Sequence, residues 1–311
     1  MKNLPIPAFR ASLLSGLVVM LTTLLAHAQV VVPDATFFWD FNAQTGNTTS
    51  SNGSKAMDLD LYDGNKTSTN MLGGAGSGVS GAAGDLALDL SSATGMGNTN
   101  NNTGGGALGV NTQTALGAST AQSFTIAGWY YANSAMGNST QLLGNAQGDT
   151  NGLRVQGSGA KQLTLDVVGT NVRVKNIRAD SDTYGLLNEW VFFALTFDNS
   201  QVGNATVKFY AGTLNDNVSL VTTYNSTDIG DYKVSTSKLT VGNFAGGTTN
   251  YPWQGSLDNF GLWFGLSDGS GALTSGQLES LRVSQIPEPG SLALLMVGLA
   301  GSWAALRRRK R

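Results

Sequence analysis

Residues Asn188 to Asp198 read NEWVFFALTFD. From Trp190 onward, apolar side chains fall on odd and even positions alike, so an extended segment here would be covered on both faces, as a strand inside a sandwich is. The segments around it follow the simpler rule of one face in and one face out. Phe37, Trp39 and Phe41 alternate with Phe38, Asp40 and Asn42, and Leu86, Leu88 and Leu90 alternate with Ala87 and Asp89. Phe124 and Ile126 alternate with Thr125 and Ala127 and lead into Trp129. Leu163, Leu165 and Val167 keep the same period, as do Val172 and Val174 against Arg173 and Lys175. Val207 with Phe209, Leu239 with Val241, and Leu257 to Phe264 complete about a dozen short strands between Gly, Asn, Ser and Thr turns, which is sandwich spacing. One helix signal interrupts them. Thr274-Ser275-Gly276-Gln277 reads as a capping box, followed by Leu278, Leu281 and Arg282 on a short amphipathic stretch. Gly73 to Gly117 has the weakest pattern, and Asn98 to Gly106 (NTNNNTGGG) reads as a long flexible loop.

Composition narrows the chemistry. The 311 residues include no Cys and one His, His27. That excludes a Cys nucleophile, a disulfide framework and a thiolate zinc site, and leaves no imidazole outside the leader for a Ser-His-Asp triad. Gly accounts for 41 residues, about 13%, and charged residues for 12%, against roughly 7% and 25% in average chains. A Gly-rich, weakly charged chain of this length suits one large all-β domain.

Both ends read as addresses. Lys2 and Arg10 precede the uncharged apolar stretch Ala11 to Leu25, and Ala26-His27-Ala28 offers small residues at Ala26 and Ala28 for signal peptidase. Residues 1–28 are thus expected to be a signal peptide. At the other end, Pro287, Glu288 and Pro289 precede the apolar or small run 291–306, and the basic cluster 307–311 closes the chain with Arg307, Arg308 and Arg309. As a helix, that run reaches about 24 Å at 1.5 Å per residue, marginal against a hydrocarbon core of about 30 Å. The cluster would hold its terminus in the cytoplasm. Without Lys2, Arg10 and the terminal five, 11 of the 18 basic residues remain; without Glu288, 19 of the 20 acidic ones do, so the net charge moves from −2 to near −8. This argues against nucleic acid and anionic lipid as partners, since both need basic surface, and is compatible with neutral glycans or divalent cations.

The order Pro-Glu-Pro, short apolar helix, Arg-rich end resembles the PEP-CTERM sorting signal of Gram-negative bacteria. The resemblance implies recognition and removal by an exosortase, a membrane transpeptidase-like protein. It also implies a carrier associated with exopolysaccharide and biofilm matrix. Residues 34–284 resemble, segment by segment, a laminin G-like, concanavalin A-type jelly roll. The matching segments are FFWDFNAQTGN, GDLALDL (Gly84 to Leu90), FTIAGW (Phe124 to Trp129), NEWVFFALTFD, VKFYAG (Val207 to Gly212), WQGSLDNFGLW (Trp253 to Trp263) and the closing Leu273 to Leu281. Val191-Phe192 stand where the family often has His, so that position is structural here.

Glycoside hydrolysis needs two carboxyls about 5–10 Å apart. Outside the sorting motif only Glu189 and Glu279 are glutamates, and no Glu-x-Asp-x-x-Glu strand occurs. No catalytic residue is therefore assigned. Calcium needs neither His nor Cys. Asp258, which matches the Asp of the family's closing motif, and Asp58, Asp60 and Asp63 before the Gly64 turn are its candidate ligands; a structural carboxylate and a solvated face are the competing readings. Tyr251 and Trp253 in the loop GNFAGGTTNYPW, together with Tyr131, are candidate sugar-stacking residues, although Trp253 also matches an apolar core position. The expectation is an exported, non-catalytic surface or matrix protein that binds or scaffolds extracellular polysaccharide. The alternatives are a purely structural envelope or biofilm component, and a glycoside hydrolase or lyase with an unrecognised site.

Overall fold

The computed structural model describes residues 30–93, 105–146, 150–201, 204–244 and 251–286. In chain order the strands are β1 (Phe37–Trp39), β2 (Gln44–Thr45), β3 (Thr48–Thr49), β4 (Leu59–Tyr62), β5 (Leu88–Asp89), β6 (Gly106–Asn111), β7 (Thr120–Ala121), β8 (Ser123–Ala132), β9 (Asn138–Gly144), β10 (Leu153–Ser158), β11 (Gln162–Val168), β12 (Arg173–Asp180), β13 (Trp190–Asp198), β14 (Ala205–Thr213), β15 (Ser219–Ser226), β16 (Tyr232–Lys233), β17 (Lys238–Val241) and β18 (Gly255–Gly265). Among the described residues two α-helices accompany them, α1 (Thr112–Leu116) and α2 (Ser275–Gln285).

The front sheet runs β1-β18-β8-β13-β14-β15, with β5 added beside β18. The back sheet runs β12-β11-β10-β9-β17-β6-β4-β3-β2. The pairing is antiparallel, and β13 lies in register between β8 and β14, with Phe193 opposite Gly128 on one side and Ala211 on the other. The architecture is the all-β concanavalin A-like sandwich that the strand pattern implies.

The double-sided apolar pattern of β13 has a direct structural cause. Val191, Phe193, Leu195 and Phe197 enter the core between the sheets. Phe192 and Ala194 point the other way, into a second apolar cluster with Trp129, Trp263, Leu278 and Leu281. Helix α2 lies over this outer face of the front sheet and starts from the expected capping box: Thr274 accepts from the Gln277 amide, and the Gln277 side chain accepts from the Thr274 amide. Buried tryptophans place their indole N–H groups on acceptors, since an unpaired buried donor is costly. Trp39 donates to the Met57 carbonyl at 2.7 Å, Trp129 to Gln285 Oε1 at 2.8 Å and Trp263 to the Pro33 carbonyl at 2.9 Å.

Several elements depart from the sequence reading. Gly106 belongs to β6 rather than to a loop, and helix α1 falls in the stretch of weakest pattern, capped by Asn111 and by Gly117 in the left-handed conformation (φ 74°). Residues 98–104 of the expected loop lie outside the described residues. Val172 is exposed and precedes β12. Strands β9, β10 and β15 complete the sheets with few or interrupted apolar alternations. No helix among the described residues is long and apolar enough to cross a membrane.

Gly128 lies under the Phe260 ring, where an added Cβ would stand 2.7 Å from Cδ2. Gly128→Ala should overpack the core and destabilise the fold by about 1–3 kcal/mol. The check is the urea midpoint at constant m-value, and an unchanged midpoint would show that Phe260 has room to yield.

Candidate functional site

At one end of the sandwich β8 finishes, β13 starts, and the outer face of the front sheet emerges from beneath α2. Tyr131 on β8 sits directly opposite Trp190 on β13. Their rings meet edge to face, with centroids 5.7 Å apart and planes inclined at 63°, and both are half-buried. Together with Asn188, Glu189, Thr213, Leu214 and Asn215 they line a pocket of about 340 Å³. Asn188 (φ 57°) turns the chain into β13, and its amide donates to the Ala132 carbonyl at 2.9 Å. The turn after β14 is closed by Thr213, whose Oγ1 accepts from the amides of Asn215 and Asp216.

Helix α2 holds this turn in place. Arg282 is 4% exposed; it donates Nη1 to the Thr213 carbonyl at 2.7 Å and grips Glu279 through Nε (2.9 Å) and Nη2 (2.7 Å). Glu279 also accepts from the Val218 amide at 2.8 Å. Burial pushes the Glu279 carboxyl up, but its bonds to Arg282 and Val218 outweigh that and hold it below the usual carboxylate range. Glu279 is therefore a structural clamp. Glu189, its candidate partner in hydrolysis, lies exposed at the pocket.

The three aromatic residues singled out in sequence gather at this end, with different roles. Trp253 is fully buried, packs edge to face on Tyr130 at 4.9 Å and donates Nε1 to the Tyr131 carbonyl at 3.3 Å. Its backbone amide binds the Gly242 carbonyl at 2.8 Å. It is thus a strut between the sheets, with no ring face available for a ligand, which corrects its reading as a stacking residue. Tyr251 stands on the back-sheet side, half-buried against Phe244 at 5.9 Å, and its amide donates to Asn243 Oδ1 at 2.8 Å. Trp190, read in sequence as core, is the pocket residue that periodicity could not reveal. It shares the outer face with Phe192, which is fully buried, whereas Trp190 is half-buried at the margin of that cluster.

The candidate metal ligands do not converge. Asp58 and Asp60 are exposed on the solvent face of β4 and the residues before it, opposite buried Met57, Leu59 and Leu61. Asp60 accepts from Thr48 Oγ1 at 2.9 Å. Asp63 closes its own turn, with Oδ1 accepting from the amides of Asn65 and Thr67 at 2.9 Å each. Asp258 is fully buried on β18 and binds the Val79 amide through Oδ2 (2.8 Å) and the Asn259 amide through Oδ1 (2.7 Å).

Ala26, Ala28, Pro287, Glu288, Pro289 and Arg307 to Arg309 lie outside the described residues, as does the helix expected over 291–306.

A family model for the concanavalin A-like lectin/glucanases superfamily matches residues 102–266. The chain belongs to that superfamily. A second match, over residues 285–310, is to the PEP-CTERM protein-sorting motif, which marks this lectin-like chain as a bacterial protein sorted to the envelope. No curated protein matches it. Among solved structures, the receptor-binding domain of botulinum neurotoxin mosaic serotype C/D aligns at TM-score 0.51 and 11% identity, over 81% of this chain and 51% of that one. The chain thus spans about half the length of that relative, and the likeness is one of fold. The CBM40 of a Ruminococcus gnavus sialidase, bound to α2,3 sialyllactose, aligns at TM-score 0.41 and 15% identity, over 63% and 95%. A Trypanosoma rangeli sialidase aligns at TM-score 0.47 and 14% identity, over 82% and 33%.

The likeness to the solved structures is one of fold, so the fit of calcium is judged on the donors present. The ion takes six to eight oxygens. Asp258 has an amide on each oxygen, Asp85 Oδ2 accepts from the Ser80 amide at 2.6 Å, and no group of three acidic side chains among the described residues is placed to share an ion. Asp258 is held in this structure by amides, as a structural carboxylate is. Burial, reinforced by the charges of Asp85 and Asp40 against the opposing amides of Val79 and Asn259, pushes the Asp258 carboxyl up to about 8. An unfolded carboxyl ionises near pH 4. Between those values the folded chain holds the extra proton, so stability falls as pH rises through that window. The melting temperature should therefore climb on acidification from about pH 8 to about pH 6, and Asp258→Asn should flatten the slope. Scans with and without calcium test the ion: a calcium-dependent rise that Asp258→Asn removes would place it there, and superimposed scans would leave Asp258 a structural carboxylate.

Proposed function

We propose that the chain is an exported, non-catalytic matrix or surface protein that binds extracellular polysaccharide at the rim pocket. One observation carries this: two half-buried aromatic rings, Tyr131 and Trp190, line a pocket with a carboxylate and two amides, those of Glu189, Asn188 and Asn215. Small-ligand pockets combine an apolar or aromatic surface with a few convergent polar groups at this volume. A sugar ring would lay its apolar C–H face on an aromatic ring and direct its hydroxyls to the amides and the carboxylate. Tyr251 with Phe244 would offer a second aromatic contact at the same end of the sandwich. The single glutamate of the pocket supplies no second carboxyl for glycosidic cleavage, because Glu279 is committed to Arg282.

Trp190→Ala and Tyr131→Ala should each weaken retention by a bacterial exopolysaccharide about tenfold while leaving the far-ultraviolet spectrum and melting temperature close to wild type. Undiminished retention would remove the pocket from this role, and oligomers formed without any glycan would favour a purely structural component. Turnover of the polysaccharide, lost in Glu189→Gln, would establish a hydrolase or lyase instead.

The sorting motif extends the proposal to processing. Signal peptidase would cut after Ala28. The membrane of a Gram-negative cell would hold the precursor through residues 291–306, and an exosortase-type protein would then remove the segment near Pro287-Glu288-Pro289. Intact mass of the secreted protein should lack Arg307 to Arg311; their retention would leave a plain membrane anchor.

A further inference from the structure

The two sheets present four lateral edges, and three of them are blocked. An open edge is a template for another strand, so folded chains shorten, cover or charge their edges. Beside β1, the carbonyls of Ala35, Thr36 and Phe38 accept from the amides of Ser54, Lys55 and Asn52. Its neighbour on that side, β5, is two residues long, and Asp89 donates its amide to the Met71 carbonyl. Strand β2 is likewise two residues long. Strand β12 carries Arg173, Lys175, Arg178 and Asp180. Strand β15 has none of these guards. It runs eight residues, Ser219 to Ser226 (SLVTTYNS), without a charge, a Pro or a Gly. Among the described residues its main chain pairs with β14 and with no other strand. Leu220 is 53% exposed and Tyr224 37%. A bulge at Val221 separates the pairs Phe209–Thr222 and Tyr210–Leu220, and Thr222 to Ser226 keep their register.

We propose that β15 is the seam of a two-fold dimer, in which the same strand of a second copy adds antiparallel and continues the front sheet. A two-fold axis across the strand sets outward N–H groups against carbonyls of the identical segment, so the edge is complementary to itself. An eight-residue antiparallel pair closes up to about eight ladder bonds, within the roughly ten of an ordinary interface. Thr222, Thr223 and Tyr224 are residue types that stabilise cross-strand pairs. Charge selects the occupant. The strand offers neither sign to a charged peptide, and Asp216 and Asp228 flank it. Two domains near −8 repel one another over most of their surfaces, and this edge is neutral along its whole length. The turn before β15 contributes Asn215 to the rim pocket. A dimer would therefore hold two such pockets at opposite ends of a seam about 26 Å long. The seam itself does not rest on what those pockets bind.

The test is sedimentation of the full secreted chain without glycan. It should show a monomer–dimer equilibrium that tightens as salt rises, because screening relieves the repulsion between two acidic domains. Leu220→Lys together with Tyr224→Lys sets like charges face to face across the seam. The pair should weaken dimerisation at least about 100-fold in a protein that melts close to wild type, whereas Trp190→Ala should leave the dimer intact. The chain has no Cys, so an introduced one is its single thiol. Of Thr222→Cys, Thr223→Cys and Tyr224→Cys, tested singly, the variant nearest the axis should form an intermolecular disulfide far faster than Val110→Cys, which is exposed on β6. The proposal is overturned by a monomer at every concentration up to about 1 mM. It is equally overturned by dimers that weaken with salt, by dimers that persist in the doubly substituted protein, or by cross-linking no faster on β15 than at Val110. Polysaccharide retention is read separately: dimers that retain none leave the seam standing and remove the pocket from its role.

Discussion

Coverage of the outer face of the front sheet by helix α2 is the constraint on which the rest of the molecule depends. An antiparallel sheet can leave one face to water, but Trp129 and Phe192 make that impossible here. Their rings meet at 5.3 Å on the face away from the main core, and Leu278 and Leu281 seal them in. The helix is fixed by directional bonds as well as by apolar area: its start by Thr274 and Gln277, its middle by Arg282 on the Thr213 carbonyl, its end by Gln285 on the Trp129 indole. At the margin of that cover Trp190 and, opposite it, Tyr131 are half-buried. The pocket is therefore the uncovered remainder of an interface whose first purpose is stability.

Much of this was legible in the chain. The continuous apolar run of β13 announced cover on both faces, and the capping box announced the element that provides it. Trp129 was readable as core because it ends an alternating apolar strand, whereas for Trp253, in a Gly/Thr/Asn loop, only the match to an apolar core position of the family motif pointed inward. What escaped was set by distant contacts. Strand β15, with Leu220 and Tyr224 exposed on an edge, has no apolar face to pattern. Strand β9 meets β10 through register shifts that break the period of two. Helix α1 is five residues long, too short for a periodic signal, and only its Asn111 and Gly117 caps mark it. Trp190 obeys the strand pattern like its neighbours, yet it lies half-buried at the margin of the outer cluster.

The acidic residues divide on the same physical grounds. Asp58 and Asp60 face water, Asp63 closes a turn, and Asp258 is dehydrated beneath the loop that contributes the Val79 amide. Sequence spacing alone presents all four as equivalent oxygen donors, whereas burial and hydrogen bonding give each a separate task. Net charge is similarly coarse, since the basic hairpins β10 to β12 sit in a domain whose overall sign is opposite.

The position of β18 bears on how such a chain is made. It lies between β1 and β8, so the last of the eighteen described strands to be synthesised takes an interior position in the front sheet, next to its edge. Phe37 of β1 finds its partner in Leu262, and β8 lacks a neighbour on that side until β18 arrives. Pairings of such long separation form late and slowly. The front sheet therefore cannot close until β18 is available, and β1 waits for its partner while all the strands between them are made.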